Sequence, residues 1–264
     1  MTGVVAIEEL RAAYLAVQQG RFRSGPHNVA PSAAPAAPAA GERWPDSSTR
    51  VLLVTGCMPS VGTSTVALAL AGEAGDARVV ECCTVAASGL CTATTAELGV
   101  VDGWVQGSRG EVLVERRSDR IPSLTHLPVP SETARGWSVL DSSWDLDVVL
   151  ADPGWLGEVA RTSPLVVLVT RASIPGMRRL DTALKLVGAE RAHVVVVGVS
   201  RRRWPKPVEQ SMSLAVRELK AQGRLIEVPL AASLAVDGIT CEPLPAATVA
   251  AVADLFVSLK GELQ

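Results

Sequence analysis

The stretch "VLLVTGCMPSVGTSTVALALA", Val51 to Ala71, decides how the chain is read. A continuous apolar strand enters a loop bracketed by Gly56 and Gly62, and the loop leaves into an apolar helix. That order builds a phosphate cradle: successive backbone N–H groups wrap the anion and the helix N-terminus adds its dipole. The pattern for such a loop is GxxxxGK[ST]. Gly62 takes the second glycine place, Ser64 the hydroxyl place that ligates Mg²⁺, and Thr65 follows. Two positions depart. Gly56 sits one residue early, so Cys57 falls on the first-glycine place, and Thr63 stands where the lysine belongs. Taken alone, the loop reads equally as a strand-to-helix turn that needs glycines for geometry.

Outward from the loop, apolar and largely β-branched runs recur at 50–55, 78–83, 146–152, 165–170, 193–199 and 224–230. Runs apolar on both faces belong in a parallel sheet covered on both sides. Helical patterning fills 65–74, 175–187, 206–221 and 248–263 between them. The expected fold is therefore a doubly wound α/β domain with a mainly parallel sheet over residues 50–264. The less regular middle is expected to hold a helix near 94–106, strands near 111–115 and 123–129, and a helix at 131–140.

Ligands of such sheets bind beyond the carboxyl ends of the strands. Asp152 closes the run "LDVVLAD" and is followed by Pro153-Gly154. It is expected to face the loop and, with Ser64, to hold Mg²⁺. Capping the next helix is the plainer alternative.

Residues 1–20 form an amphipathic helix with Leu10, Ala13, Tyr14 and Val17 on one stripe. Residues 21–49 are rich in Ala, Pro and Ser and cannot offset their own ordering entropy, so they read as a linker. The helix either folds back onto the domain or docks a partner protein.

Composition narrows the classes. With 48% hydrophobic residues the chain can bury a sizeable core, and no window is long and apolar enough to span a bilayer. The first residues lack a secretory pattern, so a cytoplasmic protein is expected. Five cysteines, odd in number and without paired CxxC spacing, argue for free thiols, and three isolated histidines give little support to metal chemistry. A net charge of −2 draws no nucleic acid globally. Three arginine groups, Arg116-Arg117-Arg120, Arg178-Arg179 and Arg201-Arg202-Arg203, read either as solvated surface or as sequence-independent DNA contacts. Trp104, Trp137, Trp144, Trp155 and Trp204 read as packing residues. No G-x-S-x-G elbow occurs.

With these features assembled, residues 50–264 resemble the ParA/MinD-type P-loop ATPases, which place and partition cellular cargo as nucleotide-bound dimers. Against that family's KGGxGK[ST]T loop, "MPSVGTST" reads Met58 for the first lysine, Pro59 and Ser60 for two glycines, then Val61 and Gly62. Thr63 replaces the second lysine, and Ser64 and Thr65 follow. Cys82 and Thr84 fall at the DxD-like places of the family's second strand, and Ser200 or Arg201 at the adenine-reading place. The resemblance implies ATP and Mg²⁺ as ligands, bound by Gly56, Ser60, Val61, Gly62, Thr63, Ser64, Thr65, Ser200 and Arg201, with metal at Ser64 and Asp152. It also implies a homodimer.

Losing an electrostatic donor to a transferring phosphate costs on the order of 10²–10³ in rate. Arg171 and Arg201, at the expected strand ends, are the candidates to replace the charge. The loop is most similar to the family's atypical branch without the lysine, localisation factors for pilus and secretion machinery and septum-placement regulators. The implied role is a spatial switch or scaffold with weak or no hydrolysis. Two other readings stay open. One is a nucleotide-free adaptor whose Pro59-Ser60 plugs the phosphate site while the N-terminal helix recruits a partner. The other is an ATP-dependent ligase, since "TGCMPSVGTST" is similar to the loop of dethiobiotin-synthetase-like enzymes.

Overall fold

Leu52 and Val54 point into one apolar layer and Leu53 into the other, all three fully buried. This is why the run is apolar on both faces: it is β1 (Arg50–Gly56), a central strand. The computed structural model describes residues 5–22, 44, 50–83, 87–119, 121–131 and 135–262, with Arg201 described in its main chain only. After β1 come α2 (Thr63–Ala74), β2 (Ala77–Cys82), β3 (Ala96–Val101), β4 (Trp104–Arg109), β5 (Val112–Arg116) and β6 (Trp137–Ser142); α1 (Ile7–Gln18) precedes it. Then follow α3 (Leu146–Ala151), α4 (Trp155–Thr162), β7 (Val166–Arg171), α5 (Ile174–Val187) and β8 (Ala192–Gly198). The chain closes through α6 (Lys206–Gln210), α7 (Leu214–Ala221), β9 (Leu225–Pro229), α8 (Ala232–Asp237) and α9 (Ala246–Glu262).

The strands form one sheet in the order β3-β4-β5-β2-β6-β1-β7-β8-β9. Every neighbouring pair is parallel except β3–β4 and β4–β5. Helices α2 and α9 cover one face, and residues of α3 to α7 pack on the other. The doubly wound, mainly parallel α/β fold is what the alternation predicts.

Four expectations are corrected. Residues 146–151 are helix α3, not a strand: Leu146 and Val149, three apart, are buried, while Val148 is exposed. The strand beside β1 is instead β6, "WSVLDS", buried throughout although three of its residues are polar. The segment 94–106 is not a helix but part of the β3–β4 hairpin, turned by Asp102 and Gly103 at φ 50° and 79°. Two consecutive positive-φ residues make the tight hairpin turn for which Asp-Gly is a preferred pair. The strand expected near 123–129 is a short 3-10 turn, and the helix expected over 131–140 gives way to β6, with residues 132–134 outside the described residues. The strand near 111–115 is present as β5.

Trp44 is buried, packing edge-on against Trp155 at 5.2 Å and against the Arg78 guanidinium at 5.3 Å. The packed domain thus includes at least this residue of the 21–49 segment.

Candidate functional site

At the end of β1 the chain turns through residues 57–62 into α2. Ser60 (φ 56°) and Gly62 (φ 97°) both take left-handed conformations, which turn successive N–H groups toward one side. Among the described residues, no main-chain carbonyl accepts from the amides of Ser60 through Thr65. Pro59 contributes no N–H. Gly56 is required for space: a Cβ there would lie 2.6 Å from Thr63 Oγ1. Thr63 itself is buried, its hydroxyl turned back toward Gly56. The residue at the lysine place therefore closes the floor of the turn and extends no charge over it.

The acidic partner is Asp141, at the carboxyl end of β6, paired in register with Val54 of β1 and with Glu81 of β2. It is fully buried, and neither carboxylate oxygen has a hydrogen-bond partner of ordinary geometry among the described residues. Burial pushes its carboxyl up to about 7; the nearby Ser64 hydroxyl pulls the other way, and the negative Glu81 adds to the rise. Thr55 Oγ1 and Ser142 Oγ, on the same strand ends, also lack partners. A buried acid without partners next to a hydroxyl-bearing helix start is costly unless something fills the gap. Oxygen donors of this kind suit Mg²⁺, which needs only one or two protein ligands.

Asp152, the acid expected here, lies elsewhere. It ends α3, its Oδ2 accepting from Gly154 N at 2.9 Å and its carbonyl from Arg161 Nη1 at 2.8 Å. It shapes the α3–α4 turn; the N-cap of α4 is Gly154, with no side-chain cap, so Asp152 does not cap that helix either.

Glu81, which the sequence reading passed over for its neighbours Cys82 and Thr84, is also buried. Its carboxylate accepts from Ser88 Oγ (2.7 Å), Gly89 N (2.8 Å) and Leu90 N (2.9 Å). Burial still raises its pKa above the ordinary carboxylate value, against these hydrogen bonds. The latch seats Gly89 directly over Ser64: a Cβ would come within 2.5 Å of the Ser64 hydroxyl. Cys82 is buried with its thiol pushed well up by burial, so it supplies no anion to the site. Thr84 lies outside the described residues.

On the other side of the loop is a cavity of about 210 Å³. Ser60, Gly62 and Thr65 form one wall, Val197 of β8 another, and Pro229 to Ala231 after β9 a third. Arg171, the last residue of β7, reaches in from the rim and donates from Nη2 to the Ser60 carbonyl at 3.1 Å. The structure thus brings Ser60, Val61, Gly62 and Thr65 to one cavity and sets Ser64 against Asp141. Ser200 lines a separate open depression with Arg202, Glu209 and Glu227, and the Arg201 side chain lies outside the described residues.

The arginine groups divide. Arg116 is buried and holds both Glu97 oxygens at 2.7–2.8 Å, and Arg117 holds Asp119 at 2.6 Å, so neither offers a surface to nucleic acid. Arg202 and Arg203 are exposed, and Arg120 lies outside the described residues. Trp104, Trp137, Trp155 and Trp204 are buried and Trp144 is half-buried, as packing residues should be. The cysteines are all free thiols.

Helix α1 folds back onto the β3 end of the sheet, but by its polar side. Glu9 is buried and accepts from Thr95 Oγ1, Ser108 Oγ and Gly110 N. Arg21 continues the attachment through Gln106. Leu10, Tyr14 and Val17 of the apolar stripe are exposed, with Ile7 and Leu15. Among the described residues no helix is long and apolar enough to cross a membrane.

No family model matches the chain, and no curated protein matches it in sequence. Solved structures do. A plasmid partition protein of Borrelia burgdorferi B31 bound to AMPPNP aligns at TM-score 0.53 and 14% identity, over 82% of this chain and 100% of that one. The ATP complex of a variant McdA from Cyanothece aligns at 0.52 and 12%, over 83% and 97%. The MinD cell division protein of Aquifex aeolicus aligns at 0.50 and 15%, over 81% and 97%. A glycine-bracketed loop on the central strand, with an acidic strand end beside it, thus sits in a chain that has the fold of the ParA/MinD-type P-loop ATPases.

Proposed function

We propose that this chain is a ParA/MinD-like switch for cellular positioning or partitioning, which binds ATP with Mg²⁺ and hydrolyses it slowly or not at all. The observation that carries the proposal is the buried Asp141 carboxylate with only the Ser64 hydroxyl beside it, at the foot of a loop whose amides meet no main-chain carbonyl among the described residues. A fold that keeps such a group unpaired pays for it unless a cation occupies the gap. Ser64 and Asp141 would hold Mg²⁺, and the bound ion would offset phosphate charge. The Ser60–Thr65 amides and the α2 N-terminus bind the phosphates, and the cavity lined by Val197 and Pro229–Ala231 takes the nucleoside. With Thr63 folded against Gly56, no loop side chain stabilises charge on the transferring phosphoryl group, which slows cleavage more than binding. In this reading the cytoplasmic protein works as a homodimer, and the outward apolar face of α1 docks a protein partner.

The test combines thermal melting, size exclusion and phosphate release, with and without Mg²⁺-ATP. Saturation at about 100 times Kd adds about 2.7 kcal/mol, a rise of several degrees in Tm. The expected result is that rise, a dimer peak, and phosphate release far below that of lysine-bearing relatives. Brisk hydrolysis overturns the impaired-switch reading.

One observation favours the nucleotide-free adaptor as second reading: the Glu81 latch seats Gly89 against the Ser64 hydroxyl, the group that would hold a metal. Absence of any response to nucleotide would select it.

A further inference from the structure

Building on the nucleotide-binding reading, we infer that Arg171 is the cation that meets the phosphates, supplied from the end of β7 in place of the loop lysine. Three observations converge. First, Thr63 is buried with its hydroxyl toward Gly56, so the lysine place sends nothing into the cradle. Second, among the residues lining the cavity beside the loop, Arg171 alone carries a charge. Third, its guanidinium already touches the loop, donating from Nη2 to the Ser60 carbonyl at 3.1 Å across 111 positions of sequence.

The position follows from the topology. β7 lies next to β1, with Val169 opposite Gly56, so the residue two beyond Val169 stands level with the start of the loop. Arg171 is exposed and engages Ser60 through one nitrogen, which leaves its other guanidinium donors available to an incoming anion. The Ser60 carbonyl holds the group beside the left-handed turn, whose amides meet no main-chain carbonyl among the described residues. A planar fork that can bond two phosphate oxygens at once is a stronger and more directional partner than an ammonium on the same stem. The ligand class is therefore a nucleoside di- or triphosphate, recognised by charge from β7 and by main-chain amides from the loop.

Calorimetry with the full-length protein in Mg²⁺ tests this, titrating ATP, ADP and adenosine into wild type, Arg171→Ala and Arg171→Lys. A charge contact to phosphate predicts that Arg171→Ala weakens ATP and ADP about tenfold or more and leaves adenosine unchanged. The lysine variant should recover part of the loss, and the salt dependence of ATP binding should flatten in the alanine variant. Equal weakening of adenosine and ATP would mean that Arg171 only steadies the loop through Ser60, and the inference fails. Unchanged ATP affinity in Arg171→Ala also overturns it, while leaving nucleotide binding intact. A wild type that binds none of the three ligands removes the underlying nucleotide reading and the inference with it.

Discussion

Two buried carboxylates sit on parallel strands of the same sheet and are treated in opposite ways. Glu115 of β5 is fully buried and saturated: it accepts from Arg78 Nη1 and Gln106 Nε2 at 2.8 Å each and from Ser131 Oγ at 3.1 Å. Arg78 in turn donates to Ser138 Oγ and the Ser131 carbonyl, and its face covers Trp44. Asp141 of β6 is just as buried and has no such partner. Burying a charge is tolerable when the geometry returns it as hydrogen bonds, and costly otherwise. The first carboxylate holds the sheet together, and the second is kept free at the strand end where ligands of this fold class bind.

Breaking the satisfied side should have the largest effect. Glu115→Ala strands the buried Arg78 charge and is expected to lower stability by about 3–5 kcal/mol, read as a loss in denaturant midpoint. The double variant Arg78→Met with Glu115→Leu should lose less than the single, since no lone charge remains. If single and double fall equally, the network is not a charge pair in energetic terms.

On the free side the sign reverses. Folding raises the Asp141 pKa to about 7, so the native state prefers the proton. The cost of ionising it is absent below pH 4, grows from there, and is complete above pH 7. Asp141→Asn should therefore stabilise the metal-free protein at pH 8, by on the order of 4 kcal/mol, and do little at pH 4. It should also abolish the melting-temperature rise with Mg²⁺-ATP. A destabilised asparagine variant at pH 8 would show that the carboxylate is structurally required after all.

Smaller effects sharpen the contrast at its margins. Gly89→Ala puts a methyl against Ser64 and should cost about 1–3 kcal/mol unless the 88–90 latch lets go of Glu81. Nucleotide affinity separates the outcomes, rising if the latch opens. Glu9→Ala, at the polar attachment of α1, should cost about 1 kcal/mol and speed tryptic cleavage at Arg21. Unchanged cleavage would mean that Arg21–Gln106 suffices to hold the helix.

The frame of this site could be read from residues alone wherever apolar character and periodicity agreed. β1, α2, β7 and β8 are buried runs with helices between them, and β9, though only partly buried, follows the same alternation. β6 escaped because Ser138, Asp141 and Ser142 interrupt its apolar pattern, and each of them is polar for a reason outside the strand or still without a partner. Six apolar-rich residues at 146–151 could serve as strand or helix, since so short a run carries no decisive period. The β3–β4 hairpin did leave a signal, Asp102-Gly103 between "VV" and "WV", that a helix expectation overlooked.

The residues by themselves determined a strand–loop–helix cradle without its lysine, set in a doubly wound sheet, because local apolar pattern and glycine placement are properties of neighbours along the chain. Only the tertiary structure decided which acid faces that cradle, which arginine reaches it, and that α1 turns its apolar side outward. Those depend on strand order and register: β6 rather than 146–152 lies beside β1, and β7 brings Arg171 to Ser60 from 111 positions away.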